Sequence, residues 1–201
     1  NGKTTYAMEG SIFIAGAGVQ WLRDRMKFFK KAPETEKIVK SLKDNNNIYL
    51  VPAFTGLGAP YWDANARGVL TGITRDTSPK EIVRATIEAV AYQTYDLFEA
   101  MKHDGLRPKI VKVDGGMVMN NWFSKFLSDI VNVKVLRPKV QETTALGAAF
   151  MAGLQIGVYK SLKDISKNWH LDKKFSPKMK NPIRNKLLKG WSAAIKKTLS
   201  N

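Results

Sequence analysis

The sequence predicts an α/β domain in which short strands feed into amphipathic helices, and three stretches carry that expectation. In residues 110–121, IVKVDGGMVMNN, the β-branched Ile110, Val111 and Val113 make a short strand with Asp114 at its carboxyl end. Gly115 and Gly116 follow, and then Trp122, Phe123, Phe126, Leu127, Ile130 and Val131 recur at a spacing that winds them onto one side of a helix. A second strand, Val133 to Leu136, precedes TTALGAAFMAGLQIG, residues 143–157, a helix whose Ala145, Gly147, Ala148, Ala149, Ala152 and Gly153 let another backbone lie close. The third stretch is Ser78-Pro79-Lys80-Glu81, a helix start with Ser as N-cap, Pro at the first helical position and Glu placed to complete a capping box. That helix runs to about His103 and is apolar on most faces between Ile82 and Tyr92, so it should be the central buried helix. Glu88 and Gln93 ride on it as polar exceptions, expected to be buried and hydrogen-bonded.

Composition narrows the function classes. With 201 residues, 44% of them hydrophobic, the chain can bury a core of its own. No apolar run approaches the roughly 20 residues of a membrane-spanning helix, and the N-terminus has no basic-then-apolar leader pattern, so a cytoplasmic home is expected. With no Cys and only His103 and His170, disulfide frameworks, His/Cys metal clusters and cysteine nucleophiles drop out. The net charge of +16 raises polyanions as partners. Most of it sits in residues 160–201, which hold 12 basic and 2 acidic side chains without the interleaved aromatics of a single-strand platform. There Ile183, Leu187, Leu188, Trp191, Ile195 and Leu199 share one helical face, so the segment should dock by an apolar stripe and point its lysines outward. The expected division is residues 1–159 as one domain, with 160–201 as a basic helical tail packed on it.

The remaining segments fall in order. Tyr6 to Ile12 reads as a strand, followed by Gly16 and Gly18 among small residues and a helix carrying Trp21, Leu22, Met26 and Phe29. Glycines spaced this tightly serve either helix-to-sheet packing or a ligand at the helix start. Residues 30–47 read as an exposed charged helix and a turn. Ile48 to Val51 is a strand that enters a rigid loop with Phe54, Tyr61 and Trp62, which either lines a cleft or seals another domain. Val69 to Thr74 is a further strand. The Gly115-Gly116 turn is open to two readings, a tight turn alone or a place where a nucleotide comes within contact distance. Its spacing matches neither a Walker A loop nor G-x-G-x-x-G.

The run GVLTGITRDTSPKEIVRATIE from Gly68, with Gly68, Leu70, Gly72 and Ile73 followed by Glu81, Ile82, Ala85 and Glu88, resembles the FGGY carbohydrate kinases. Within that family, FIAGAGVQWLRD (13–24), PAFTGLGAPYWD (52–63), VDGG with the Asn pair (113–121) and TALGAA (144–149) are similar to the carboxyl-terminal domain of the glycerol kinases. The likeness spans residues 6 to about 157 and fades in the tail. It implies an actin-like, ribonuclease H-like ATPase domain, a mixed sheet flanked by helices, with ATP and Mg²⁺ as cofactors and this chain as one wall of the nucleotide cleft. By motif position, Gly16, Gln20, Gly116 and Asn120 correspond to the family's nucleotide contacts, and no catalytic or metal ligand is assigned. Asp114 acts through magnesium or water, or caps the turn.

The family's glycerol-binding residues, aspartate base and Gly-Thr-Gly phosphate loop belong to an amino-terminal domain with no counterpart here. The chain also opens without Met and in mid-pattern, as expected of a piece of a longer protein. Alone it is expected to be inactive, since phosphoryl transfer depends on positioning and charge stabilisation across a closed site. Glycerol would reach it through the other domain, homo-oligomers are expected of the full-length protein, and neither specific nucleic acid nor membrane is an expected partner. The alternatives are a non-enzymatic basic module binding polyanions and the same domain of another FGGY sugar kinase.

Overall fold

The computed structural model describes Thr4 and residues 6–200. Its centre is the long helix α3, Pro79–His103, against which helices α1 (Gly16–Asp24), α2 (Glu34–Lys40) and α4 (Asn121–Val131) and strand β1 (Tyr49–Val51) all pack. The capping box forms as the sequence predicts. Ser78 Oγ accepts the Lys80 amide at 3.3 Å, and Glu81 Oε2 accepts the Ser78 amide at 2.9 Å. Glu88 is fully buried, accepting Arg84 Nε at 2.7 Å and the Tyr92 hydroxyl at 2.8 Å, while Gln93 Nε2 donates to the Ile14 and Ala89 carbonyls. Burial raises the Glu88 carboxyl, with the Arg84 guanidinium and the Tyr92 hydroxyl pulling the other way.

β1 pairs antiparallel with β2 (Val69–Thr71), Leu50 opposite Leu70. The second sheet is mixed: β3 (Ile110–Lys112) runs parallel to β4 (Lys134–Pro138), and β4 pairs antiparallel with β5 (Leu171–Phe175). Val135 is wholly buried in its centre, opposite both Val111 and Phe175. α4 reaches this sheet through Ser128, whose hydroxyl donates to the Val133 carbonyl at 2.7 Å and the Phe175 carbonyl at 3.2 Å. β3 and α4 are joined by a single 3-10 turn, Gly116–Met119, which Gly115 enters at φ +81°, a value that excludes most side chains.

The tail is more than helical. After the short α6 (Leu162–Ser166) it contributes β5, which the sequence reading did not include, and then α7 (Asn181–Thr198). β5 was hidden because its charged LDKKF is exposed at all but Phe175. α7 lies on β1 and β2 and buries Trp191, which stacks on Tyr92 at 5.3 Å between centroids, while Tyr92 meets the edge of Phe126 at 5.7 Å. Gly190 makes the approach possible, since a Cβ there would overlap the Tyr49 hydroxyl. Ile183, expected in the apolar stripe, is 52% exposed.

Other expectations need correction. Tyr6 to Ile12 forms no strand, because none of its backbone is laddered to a neighbour among the described residues. α1 stops at Asp24, short of Met26 and Phe29, and the following turn passes through Lys27 at φ +59°. α2 is not wholly exposed, for Thr35 and Val39, four residues apart, are buried. α5 (Thr143–Gln155) forms where expected, but of its residues only Gly153 is buried, against the Tyr159 ring. Ala145, Ala148, Ala149 and Ala152 of its small face are exposed, and among the described residues no helix is long and apolar enough to cross a membrane.

Candidate functional site

Gly16, Gln20, Gly116 and Asn120 all border one cavity of about 340 Å³. Residues 100 positions apart in the chain are thus gathered into a single place. One wall is the start of α1, a second is the segment Ala32 to Glu36 entering α2, and the floor is the 3-10 turn. Val19, Ile87, Pro33 and Met117 make most of the lining apolar, suited to a flat ring, and the volume lies at the small end of the range for small-molecule sites. A Cβ built on Gly16 or on Gly116 would meet no atom within 4 Å, so at both positions the missing side chain leaves open space. Gly18 differs: its Cβ would lie 2.9 Å from Thr86 Cγ2, which makes it the packing glycine of the pair and α3, rather than a sheet, its neighbour. No side chain caps the first turn of α1. Uncapped amides beside Gly16 favour an acceptor or anionic group there.

Asn120 has two tasks. As N-cap of α4 its Oδ1 accepts the Phe123 amide at 3.0 Å, and its Nδ2 donates to Thr35 Oγ1 at 3.3 Å. Thr35 in turn donates to the Ala32 carbonyl at 2.7 Å. Beside it, Glu36 Oε2 accepts the Asn121 amide at 3.2 Å and Oε1 accepts Lys40 Nζ at 2.5 Å. Burial pulls the Glu36 carboxyl up, but Lys40 and the Asn121 amide outweigh it and hold it below the usual carboxylate range. At the rim, Arg23 forks onto its neighbour Asp24 at 2.7 and 2.9 Å, and Gln20 is exposed.

The floor is clamped from below by Arg137 of β4. Its guanidinium donates to the Val118 carbonyl at 2.7 Å, the Met119 carbonyl at 3.3 Å and Asn121 Oδ1 at 3.3 Å, and Nε pairs with Asp172 at 2.7 Å. Ser124 Oγ adds a second donor to the Val118 carbonyl at 2.9 Å. Sequence reasoning missed Thr35, Glu36 and Arg137. The spacing of Thr35, Ile38 and Val39 in an otherwise charged segment would have revealed an inward face. Nothing local marks Arg137, since its partners are 16 to 35 residues away.

Asp114 is exposed and does not border the cavity. No group of three or more potential metal ligands occurs among the described residues. The loop 52–63 packs partly inward: Phe54 meets Trp21 at 4.9 Å, the Tyr61 hydroxyl donates to Asp96 at 2.9 Å, and Asp63 accepts the Ser200 amide at 2.8 Å. Trp62 projects from it, 70% exposed.

Residues 1–156 match the model of the FGGY family of carbohydrate kinases, C-terminal domain. The chain belongs to this family. Among curated relatives of this FGGY domain, glycerol kinase 1 of Pseudomonas aeruginosa is 54% identical over 200 residues, and a glycerol kinase of Clostridium botulinum (strain 657 / Type Ba4) is 52% identical over 200. The match takes in 99 to 100% of the FGGY domain chain, which spans about 40% of the length of either relative. Of solved structures, Plasmodium falciparum glycerol kinase with ADP superposes with a TM-score of 0.85 at 36% identity, covering 96% of this chain and 38% of that one. A ligand-bound xylulose kinase from Lactobacillus acidophilus follows at TM-score 0.76 and 25% identity, covering 93% and 38%. The α/β architecture is therefore the actin-like ATPase fold of the FGGY sugar kinases, its mixed sheet and flanking helices as the sequence implies.

Proposed function

We propose that this chain is the nucleotide-side domain of an ATP-dependent glycerol kinase, which converts ATP and glycerol to sn-glycerol 3-phosphate and ADP. The observation that carries the proposal is the meeting of Gly16, Gln20, Gly116 and Asn120 on one apolar-walled cavity. The names of the relatives and the ADP in the Plasmodium structure support it. The two open glycines admit the nucleotide, Val19, Ile87, Pro33 and Met117 face its base, and Asn120 and Gln20 supply hydrogen bonds to its polar groups. Magnesium travels with the nucleotide phosphates. The glycerol site, the base and the opposite wall lie in the part of the family's architecture beyond this domain. We place the whole enzyme in the cytoplasm as a homo-oligomer, with neither membrane nor specific nucleic acid as partner. The division into a domain of residues 1–159 and a docked basic tail is part of the same proposal, supported by the burial of Trp191 and Ile195.

With one wall of the cleft, affinity should be in the millimolar range, about 4 kcal/mol. The test is an NMR titration with ADP on the chain and on Gly116→Val. The structure has room for the valine, so circular dichroism should be unchanged while binding is abolished. Shifts that appear far from the four residues, or that persist in Gly116→Val, would refute the site.

A further inference from the structure

We infer that Asn120 offers the nucleotide a hydrogen-bond donor only, and that Thr35 is the positioning residue that keeps it so. The inference deepens the proposed nucleotide site and rests on it. A neutral amide side chain has one carbonyl oxygen and one NH₂, and which of them faces a ligand depends on its other partners. In Asn120 both ends are engaged. Oδ1 must accept from the Phe123 amide, because an N–H cannot cap another N–H, and this fixes the flip of the amide. Nδ2 then points to the other side, where Thr35 Oγ1 accepts one of its hydrogens at 3.3 Å. Thr35 is free to accept because its own hydrogen is committed to the Ala32 carbonyl at 2.7 Å. Thr35 is 4% exposed, which leaves this arrangement little contact with bulk water. What remains for the cavity is the second Nδ2 hydrogen, and Asn120 and Thr35 both border that cavity. The ligand atom opposite must be an acceptor: a ring nitrogen of the base or a ribose oxygen. An amino group placed there would meet a donor.

The arrangement links α4 to the ligand. The same side chain that starts the helix presents the donor, and α2, through Thr35, sets its orientation across 85 residues of sequence. Asn120→Asp separates the two tasks, since aspartate caps a helix as well as asparagine does but carries no donor.

The test measures ADP binding by NMR titration to the unaltered chain, Asn120→Asp, Thr35→Val and Thr35→Ser, with circular dichroism and thermal denaturation of each. Asn120→Asp should keep its fold and lose at least about fivefold in affinity, because a hydrogen bond is replaced by two facing acceptors. Thr35→Val should lose about two- to threefold and Thr35→Ser should restore it. Titration with 1-deaza-, 3-deaza- and 7-deaza-ADP and with the 2′- and 3′-deoxy nucleotides should find one acceptor whose removal weakens binding to the unaltered chain but not to Asn120→Asp. Equal ADP affinity in Asn120→Asp, or a loss in Thr35→Val that serine does not restore, would overturn the inference while leaving the site intact. Failure of ADP to perturb Gly16 and Gly116 in the unaltered chain would instead overturn the nucleotide site itself.

Discussion

Replacing Asp96 by Asn should remove a pH dependence of stability that three elements share. Asp96 lies on α3, and its Oδ2 accepts both Trp191 Nε1 of α7 at 2.6 Å and the Tyr61 hydroxyl of the 52–63 loop at 2.9 Å. Burial pushes the carboxyl from 3.8 up to about 6 against the pull of these two donors, and the charge of Glu99 adds to the rise. The folded state therefore keeps its proton up to a pH near 6, whereas the unfolded chain releases it near 4. Between those values the folded protein binds more protons than the unfolded one, so the stability conferred by neutral Asp96 is lost as pH climbs from about 4 to about 6, and is constant above. A rise of about two units corresponds to about 3 kcal/mol. Asparagine keeps an oxygen for both donors and cannot ionise. The stability of Asp96→Asn minus that of the parent should therefore increase by up to about 3 kcal/mol between pH 4 and pH 8. Urea denaturation of both proteins, followed by circular dichroism at several pH values, gives this difference, in which the other titrating groups cancel. A difference that stays constant across the range would refute the reasoning.

Gly190→Ala should cost about 1–3 kcal/mol, because its Cβ would overlap the Tyr49 hydroxyl, and an unchanged thermal midpoint would show that α7 does not lie so close. Arg137→Met should destabilise the chain by about 3 kcal/mol by leaving the Val118 and Met119 carbonyls short of donors, with the largest amide shift changes in residues 115–121. Changes spread evenly over the protein would count against its role as a clamp. The 201-residue chain should release no glycerol-dependent ADP from ATP, since it spans about 40% of its relatives; turnover above a mock preparation would contradict the proposed division of labour.

The amino-acid sequence by itself determined everything that rests on local chemistry or on one face of one element. The Ser78 capping box, the extent of α3, the burial of Glu88 and Gln93 and the strand, Gly-Gly turn and helix of residues 110–131 each follow from neighbours within a few positions. The family motifs named Gly16, Gln20, Gly116 and Asn120 together, and all four border one cavity. Pairing was another matter. Tyr6 to Ile12 has the composition of a strand, yet a strand exists only where another backbone satisfies its amides, and none among the described residues does. LDKKF, poor in strand formers, becomes β5 because the antiparallel edge of β4 is there to receive it. Only the tertiary structure could decide which way the Asn120 amide faces, because that depends on Thr35, 85 residues away, and on a helix cap that competes for the same oxygen. It alone could show Arg137 beneath the cavity floor, for a guanidinium reaches its carbonyl partners only after β4 and the 3-10 turn have come together.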